Sequence, residues 1–203
     1  KVLIERIKES SLVKGSTIKH PKAIQRLVDH EASLHARHAR NWYTAGDMRG
    51  AIHHYEKACI LQPSSNEISS KLGLCYFNLA TQLDKKKNTL LALKFYRKGL
   101  KIQPQNNVAR NNLAWILATS SDPKIRNPEE ALSIAAKLNA DTKNQVAQIL
   151  DTLAAAQAAN GQFLEAIKSA SIAISKLNKE HYLDKSIKNR LNLYKRKQSI
   201  SLP

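Results

Sequence analysis

Seven histidines are the first residues of this chain whose type suits chemistry. His35 and His38 are three apart, on one face of a helical segment, and His53 and His54 are adjacent on the next segment. Imidazole is a common metal ligand, but a closed site needs three or four convergent ligands with carboxylate or thiolate help. Arg37 and Arg40 are interleaved with the first pair and would repel a cation. Semi-buried or surface imidazoles are therefore expected, with no metal and no cofactor. Cys59 and Cys75 are the two cysteines, each among apolar neighbours on a helical segment and outside any CxxC or CxxCH pattern. They read as buried free thiols. The sequence has no phosphate loop, no GxSxG, no glycine-rich dinucleotide turn, and no paired carboxylates backed by a histidine. The expectation is a chain that is not an enzyme.

Charge is the second signal. Thirty-three Lys and Arg face 16 Asp and Glu, a formal net charge of +17. Such an excess implies an acidic counterpart: a protein surface, a nucleic acid or an anionic lipid face. A generally basic compartment is the plainer alternative. The cations cluster. The stretch DKKKN supplies Lys85, Lys86 and Lys87, with Lys94, Arg97, Lys98 and Lys101 following. The stretch KEHYLDKSIKNRLNLYKRK supplies Lys188, Lys195, Arg196 and Lys197. A solvated helix face is the usual meaning of a charge run. Three adjacent lysines in a turn exceed what a face needs, so both lobes are candidate electrostatic docking surfaces. Nucleic-acid binding is the weaker alternative, because aromatics are not interleaved with the basic runs and no RRM, KH or zinc pattern is present. No run of eighteen apolar residues exists, so no transmembrane segment is expected. Peripheral attachment to anionic membrane through the KRK segment is a third reading. The chain opens on Lys1, which is compatible with removal of an N-terminal signal. The expected protein is soluble, in a compartment left open between cytoplasmic and internal or exported.

Stepping from charges to the elements that carry them, one sentence is written twice. AIHHYEKACILQPSSN covers 51–66 and ALKFYRKGLKIQPQNN covers 92–107. Ala51 matches Ala92, Tyr55 matches Tyr96, and Lys57 matches Lys98. Ala58 matches Gly99, and Gln62-Pro63 matches Gln103-Pro104. Small and aromatic positions fall at i, i+4 and i+7, one stripe of a helix. Proline then stops the helix, having no amide proton and disfavouring helix in the residue before it. Apolar residues make up 42% of the chain but aromatics only 5%, so alanine and leucine carry the core, which suits close helix packing. Repeated helices with a shared packing face and a drifting surface indicate a solenoid.

The spacing resembles the tetratricopeptide repeat (TPR) family, a helix–turn–helix unit of about 34 residues. The first unit supplies Ala39, Trp42, Ala51, Tyr55, Ala58 and Pro63. The second supplies Leu72, Gly73, Tyr76, Ala92, Tyr96, Gly99 and Pro104. The third supplies Leu113, Ala114, Leu117, Ala131, Ala135 and Leu138, and the fourth Leu153, Ala154, Ala166, Ala170 and Ala173. The later half is similar to repeats common in bacterial TPR proteins. The resemblance implies an all-α, right-handed superhelical TPR solenoid of about four repeats with a C-terminal capping helix. The expected layout is an N-terminal arm over 1–20, unit 1 with an extended first helix over 21–65, and unit 2 with a basic insertion over 66–107. Unit 3 with a loop insertion over 108–144, unit 4 over 145–178, and a basic capping helix and tail over 179–203 complete it. In the third unit Asn127 reads as an N-cap, Pro128 as the first helical residue, and Glu129 and Glu130 as favourable first-turn charges. In the last segment Leu183, Ile187, Leu191 and Tyr194 make one apolar stripe.

In that family the first helix of each unit lines a partner-binding groove. The resemblance assigns to such a groove Arg37, Arg40 and Tyr43, then Lys71, Leu74, Phe77 and Asn78, then Asn111, Asn112 and Trp115, with Ser70 and Asp151 beside them. Arginine forks grip carboxylates, aromatics give apolar contact, and asparagines hold an extended peptide backbone. The family's carboxylate clamp for chaperone tails is not reproduced: Ala36, Arg40, Lys71, Val108 and Asn112 stand at its positions. The implied function is a non-catalytic interaction scaffold or assembly factor for an acidic protein partner. Solenoid ends also permit homo-oligomers, including larger multi-subunit or filamentous complexes.

Overall fold

The computed structural model describes residues 21–177 and 182–202. The arm expected over 1–20 lies outside them. Nine helices occur among the described residues: α1 (Pro21–Thr44), α2 (Met48–Leu61), α3 (Asn66–Lys85), α4 (Thr89–Ile102), α5 (Asn107–Thr119), α6 (Pro128–Asp141), α7 (Ala147–Ala159), α8 (Phe163–Ser175) and α9 (Tyr182–Lys195). They fall into two compact units. Among the described residues the first holds 21–79 together with 101–103, and the second holds 80–100 together with 104–177 and 182–202.

In the first unit α1 pairs with α2 as an antiparallel hairpin. The turn between them is set by Gly46, whose φ of 82° is in the left-handed region that side chains with a Cβ rarely adopt. Asp47 then caps α2, its carboxylate accepting from the amides of Arg49 and Gly50 at 3.0 Å each. Ala39, Ala51 and Ala58 are fully buried and Tyr55 nearly so. Small side chains let the helices approach, and the aromatic fills the gap between their axes. A Cβ on Gly50 would lie only 2.9 Å from the Trp42 ring. Val28 and Ala32 carry the buried face of α1, whereas Leu27 is 62% exposed.

In the second unit α5 pairs with α6 and α7 with α8, while α6 packs on α7, α5 on α7, and α9 on α8. Surrounded in this way, α7 is buried on every side, and all residues from Ile149 to Ala156 are inaccessible. A helix with buried residues on every face over two turns belongs in a core. Its alanines (Ala154, Ala155, Ala156) keep the neighbouring axes close. The turn to α8 again uses a left-handed glycine, Gly161, with φ 76°. Asn127 caps α6, accepting from the Glu130 amide at 3.1 Å, and donates back to the Glu130 carboxylate at 3.2 Å. Ile187 and Tyr194 of α9 are fully buried, and Lys185, Lys188, Lys195 and Arg196 face outward.

The two insertions take different forms. The extra residues around DKKKN extend α3 to 20 residues, leaving only a tight turn before α4. Lys87 turns the chain there with φ 63°, and the Lys87 and Asn88 amides donate to the Asp84 and Leu83 carbonyls at 2.9 Å each. The insertion after α5 is a compact loop, residues 120–127. Residues 199–202 lie against it as a strap. Leu202 forms a parallel bridge with Ser120, its amide donating to the Thr119 carbonyl while its own carbonyl accepts from the Ser121 amide.

Candidate functional site

Most of the predicted groove residues of the first unit stand open. Arg37, Arg40, Lys71 and Asn78 are exposed, and Tyr43 and Leu74 are 39% and 40% exposed. α1 and α3 are adjoined here, because the Asn78 amide donates to the Tyr43 hydroxyl at 2.9 Å. Three cations, two largely apolar side chains and an amide are thus exposed on α1 and α3, as is Ser70. The Ser70 carbonyl accepts from Gln103 at 2.8 Å. Arg40 also lies beside the Tyr55 phenol. Burial raises that phenol's pKa, and the guanidinium offsets part of the push. Phe77 departs from the expectation: at 8% exposed it belongs to the core, one helical step away from the open face.

The histidines come together more closely than their spacing announced. The Nδ1 atoms of His35 and His54 are 3.0 Å apart, so one ring donates to the other. His38 and His53 rings stand edge-on to His54, with centroids 5.3 Å away. Glu31 lies 3.6 Å from His35. Burial, together with Lys57 and the neighbouring imidazoles, holds the pKa of both His35 and His54 below the ordinary value; Glu31 offsets part of this at His35. Among the described residues no group of three or more ligands is arranged to hold a metal ion. The Cys75 thiol is buried and pushed up to about 11 by that burial, so it stays protonated and inert.

In the second unit the expected groove row is largely occupied by the chain itself. Asn111 is 6% exposed, buried among α5's neighbours, and Asn112 donates to the Tyr96 hydroxyl at 3.1 Å. Asp151, at 4% exposed, is buried and held by Arg190 of α9 through two bonds of 2.9 and 2.7 Å. The same guanidinium sits 5.3 Å from the Trp115 ring centre. Burial raises the Asp151 pKa despite that pairing. Asn111 and Asp151 are therefore structural here and not open lining residues.

Of the basic residues in this unit, Lys85, Lys86, Lys87, Lys94 and Lys98 are exposed. Lys98 also lies over the Phe95 ring. Arg97 is engaged by Glu130, with one guanidinium nitrogen 3.0 and 2.8 Å from the two carboxylate oxygens. On α9, Lys188 is paired with Asp184 at 2.7 Å, whereas Lys195, Arg196 and Lys197 are exposed on the outer side. The structure joins members of two separately predicted sets. Lys85 and Lys87 line a pocket of about 250 Å³ together with Trp115, Thr89, Thr119, Ser120 and Leu202. Asp84 also lines it, accepting from the Thr89 hydroxyl at 3.2 Å. Sequence spacing did not bring out Arg190, Arg126 or Leu202. The available signal was a lone aspartate inside the apolar run LDTLAAAQAA, which demands a buried partner.

No protein-family model and no curated protein sequence matches the chain. Solved structures do. MamA (41-end) from Desulfovibrio magneticus RS-1 superposes with a TM-score of 0.55 at 17% identity, over 82% of this chain and 89% of that one. The P58(IPK) TPR domain gives 0.47 at 17% identity, over 82% of this chain and 55% of that one. Successive helical hairpins packed through buried alanines, with Tyr55 and Tyr96 filling space in the earlier ones and leucines in the later ones, place this chain in the all-α, TPR-type class of helical-repeat folds.

Proposed function

We propose that the chain is a non-catalytic protein–protein interaction scaffold or assembly factor, and that it binds an acidic partner protein. The reading rests above all on the α1–α3 surface of the first unit, where Arg37, Arg40 and Lys71 stay exposed beside Tyr43 and Leu74. Forked guanidiniums match carboxylates bidentately, and the half-exposed tyrosine and leucine supply area that a charge-only contact lacks. The net charge of +17 would steer an acidic partner to this face and speed encounter. Apolar side chains such as Leu164 and Ile172 on α8 are exposed as well, and stacking of copies into a larger complex belongs to the same reading. The helices lack a length of apolar sequence able to cross a membrane among the described residues, which is in keeping with a partner met in water.

The test is a native capture at low and high salt with mass measurement of the intact particle, followed by titration of the identified protein. Arg37→Glu with Arg40→Glu should weaken binding at least about tenfold at low salt with helicity unchanged. Equal affinity for the partner in the double variant would reject this surface. Retention of nucleic acid in place of protein would reject the reading as a whole.

A further inference from the structure

α1 outruns the helix it pairs with. Gln62, just past the end of α2, donates to the Asp29 carboxylate at 2.8 Å, so α2 stops level with the third turn of α1. Residues 21–28 continue beyond it as a spur, roughly 12 Å of helix at about 1.5 Å per residue. Of residues 22–28 only Val28 is buried. We propose that the outward face of α1, spur included, is a cationic rail for an acidic α-helix of a partner protein. Lys22 with Arg26 grips one acidic pair of that helix, and Arg37 with Arg40 grips another. The proposal rests on the acidic-partner reading above and adds to it the partner's conformation and charge spacing.

Spacing puts the charges on one face. The exposed residues Lys22, Arg26, His30, Ser33, Arg37 and Arg40 follow one another at three or four positions, which is one stripe of a helix. The cations fall into two pairs. Arg26 and Arg37 are eleven residues apart, which is about three turns and about 16 Å along the axis. α1 has two carboxylates, and both are engaged off the stripe. Asp29 accepts from Gln25 and Gln62 at 2.9 and 2.8 Å, and Glu31 lies 3.6 Å from His35. Lys22, Arg26 and Arg37 form no ion pair among the described residues. Arg40 lies beside the Tyr55 phenol, which burial keeps protonated and neutral.

Taken alone, this pattern works against the helix that carries it. Lys22 stands in the first turn, where the macrodipole disfavours a cation, and that turn holds no acidic residue. Like charges three or four positions apart, as in both pairs, repel each other. A helix face that is merely solvated gains by interleaving the two signs at these spacings. The stripe of α1 does not, and a partner's carboxylates would supply the missing counter-charge. The form of the partner follows from the ridge. A helix face offers no free backbone groups, so an extended segment laid on it would gain no ladder of main-chain bonds. A helix brings its own backbone bonds, and carboxylates on it three or four positions apart match the cation pairs. Leu27, next to Arg26 and 62% exposed, adds apolar area at the spur.

The probe is a capped, dye-labelled alanine–glutamine peptide with four glutamates spaced as the cations are, 4, 11 and 3 residues apart. It is made in both chain directions and followed by anisotropy and circular dichroism at low salt. In a second probe the last pair is shifted by two residues, which turns it to the opposite face. The matched probe should gain helicity on binding and bind at least about tenfold tighter than the shifted one. Lys22→Glu with Arg26→Glu should weaken the matched probe at least about tenfold. Lys195→Glu with Arg196→Glu, an equal charge change on α9, should leave it within about threefold. The spur reversal should also keep or raise the thermal midpoint of the free chain, because acids suit a helix N-terminus. Equal binding of the two probes, equal losses from the two reversals, or a bound probe without helix would overturn the rail. A lowered midpoint in Lys22→Glu with Arg26→Glu would mark that pair as structural and overturn it as well. A loss confined to Arg37→Glu with Arg40→Glu would overturn it while leaving the acidic-partner reading standing, as would failure of the unmodified chain to bind the matched probe. Tighter retention of duplex DNA, abolished by the spur reversal, would overturn a protein as the occupant of this face.

Discussion

Replacing Arg190 with alanine leaves Asp151 buried without a counter-charge. In the native chain the guanidinium meets the carboxylate at 2.9 and 2.7 Å, with the Asp151 side chain only 6% exposed and that of Arg190 18%. Removing one partner of such a pair costs about 3–5 kcal/mol. An upper bound comes from the escape route, in which the carboxyl takes a proton. With an ordinary pKa of 3.8, protonation at pH 7 costs about 4 kcal/mol, and at pH 5 about 1.6 kcal/mol. The charge penalty in Arg190→Ala is thus about 3–4 kcal/mol at pH 7 and shrinks by more than half at pH 5. For a chain of this size that is a fall in Tm of roughly 6–16 °C at pH 7. The sign is fixed by the raised Asp151 pKa. The folded state holds its proton more tightly than the unfolded state. The stabilising effect is therefore complete below the ordinary value and is lost as pH rises through the folded one, and the variant moves that loss to higher pH. Denaturant melts of wild type, Arg190→Ala and Arg190→Ala with Asp151→Asn at both pH values check the account. A cost below about 1 kcal/mol at pH 7, a cost equal at the two pH values, or no recovery in the double variant would refute it.

The remaining expectations concern stability. His35 and His54 have folded pKa values below the ordinary 6.5, so their contribution is complete above pH 6.5 and is lost as pH falls through the lower folded values. The thermal midpoint should drop on the acid side of pH 6.5, and His35→Gln with His54→Gln should flatten that drop; an unaltered slope would exclude the imidazole pair as its cause. Ala92 is fully buried where helices approach, so Ala92→Leu should cost about 1–3 kcal/mol by overpacking, measured by urea denaturation.

The repeated helices were legible because their signals are local. Small residues at helical spacing and Asn127 before Pro128 each act within a few positions. The site was less legible because its contacts are distant in sequence. Arg190 meets Asp151 across 39 positions, and Arg126 meets Ile200 across 74. Phe77 was assigned to an open face because one step around a helix separates lining from core, and spacing alone cannot tell which side a large aromatic takes. The basic turn was visible as a charge run, but its meeting with Trp115 depends on α3 running on to Lys85, a length that composition does not state.

The burial of α7 on every side has a consequence for trimming the chain. A helix with eight inaccessible residues in succession has no outward face of its own, so it cannot serve as a terminus. Shortening the array to end there would leave Leu150, Leu153 and Ala154 bare to water and Asp151 without its cation. Excision of α8 and α9 is therefore not the removal of ornament from a finished rod. It strips the coat from the innermost member, and any minimal version must keep both or graft a substitute sheath in their place.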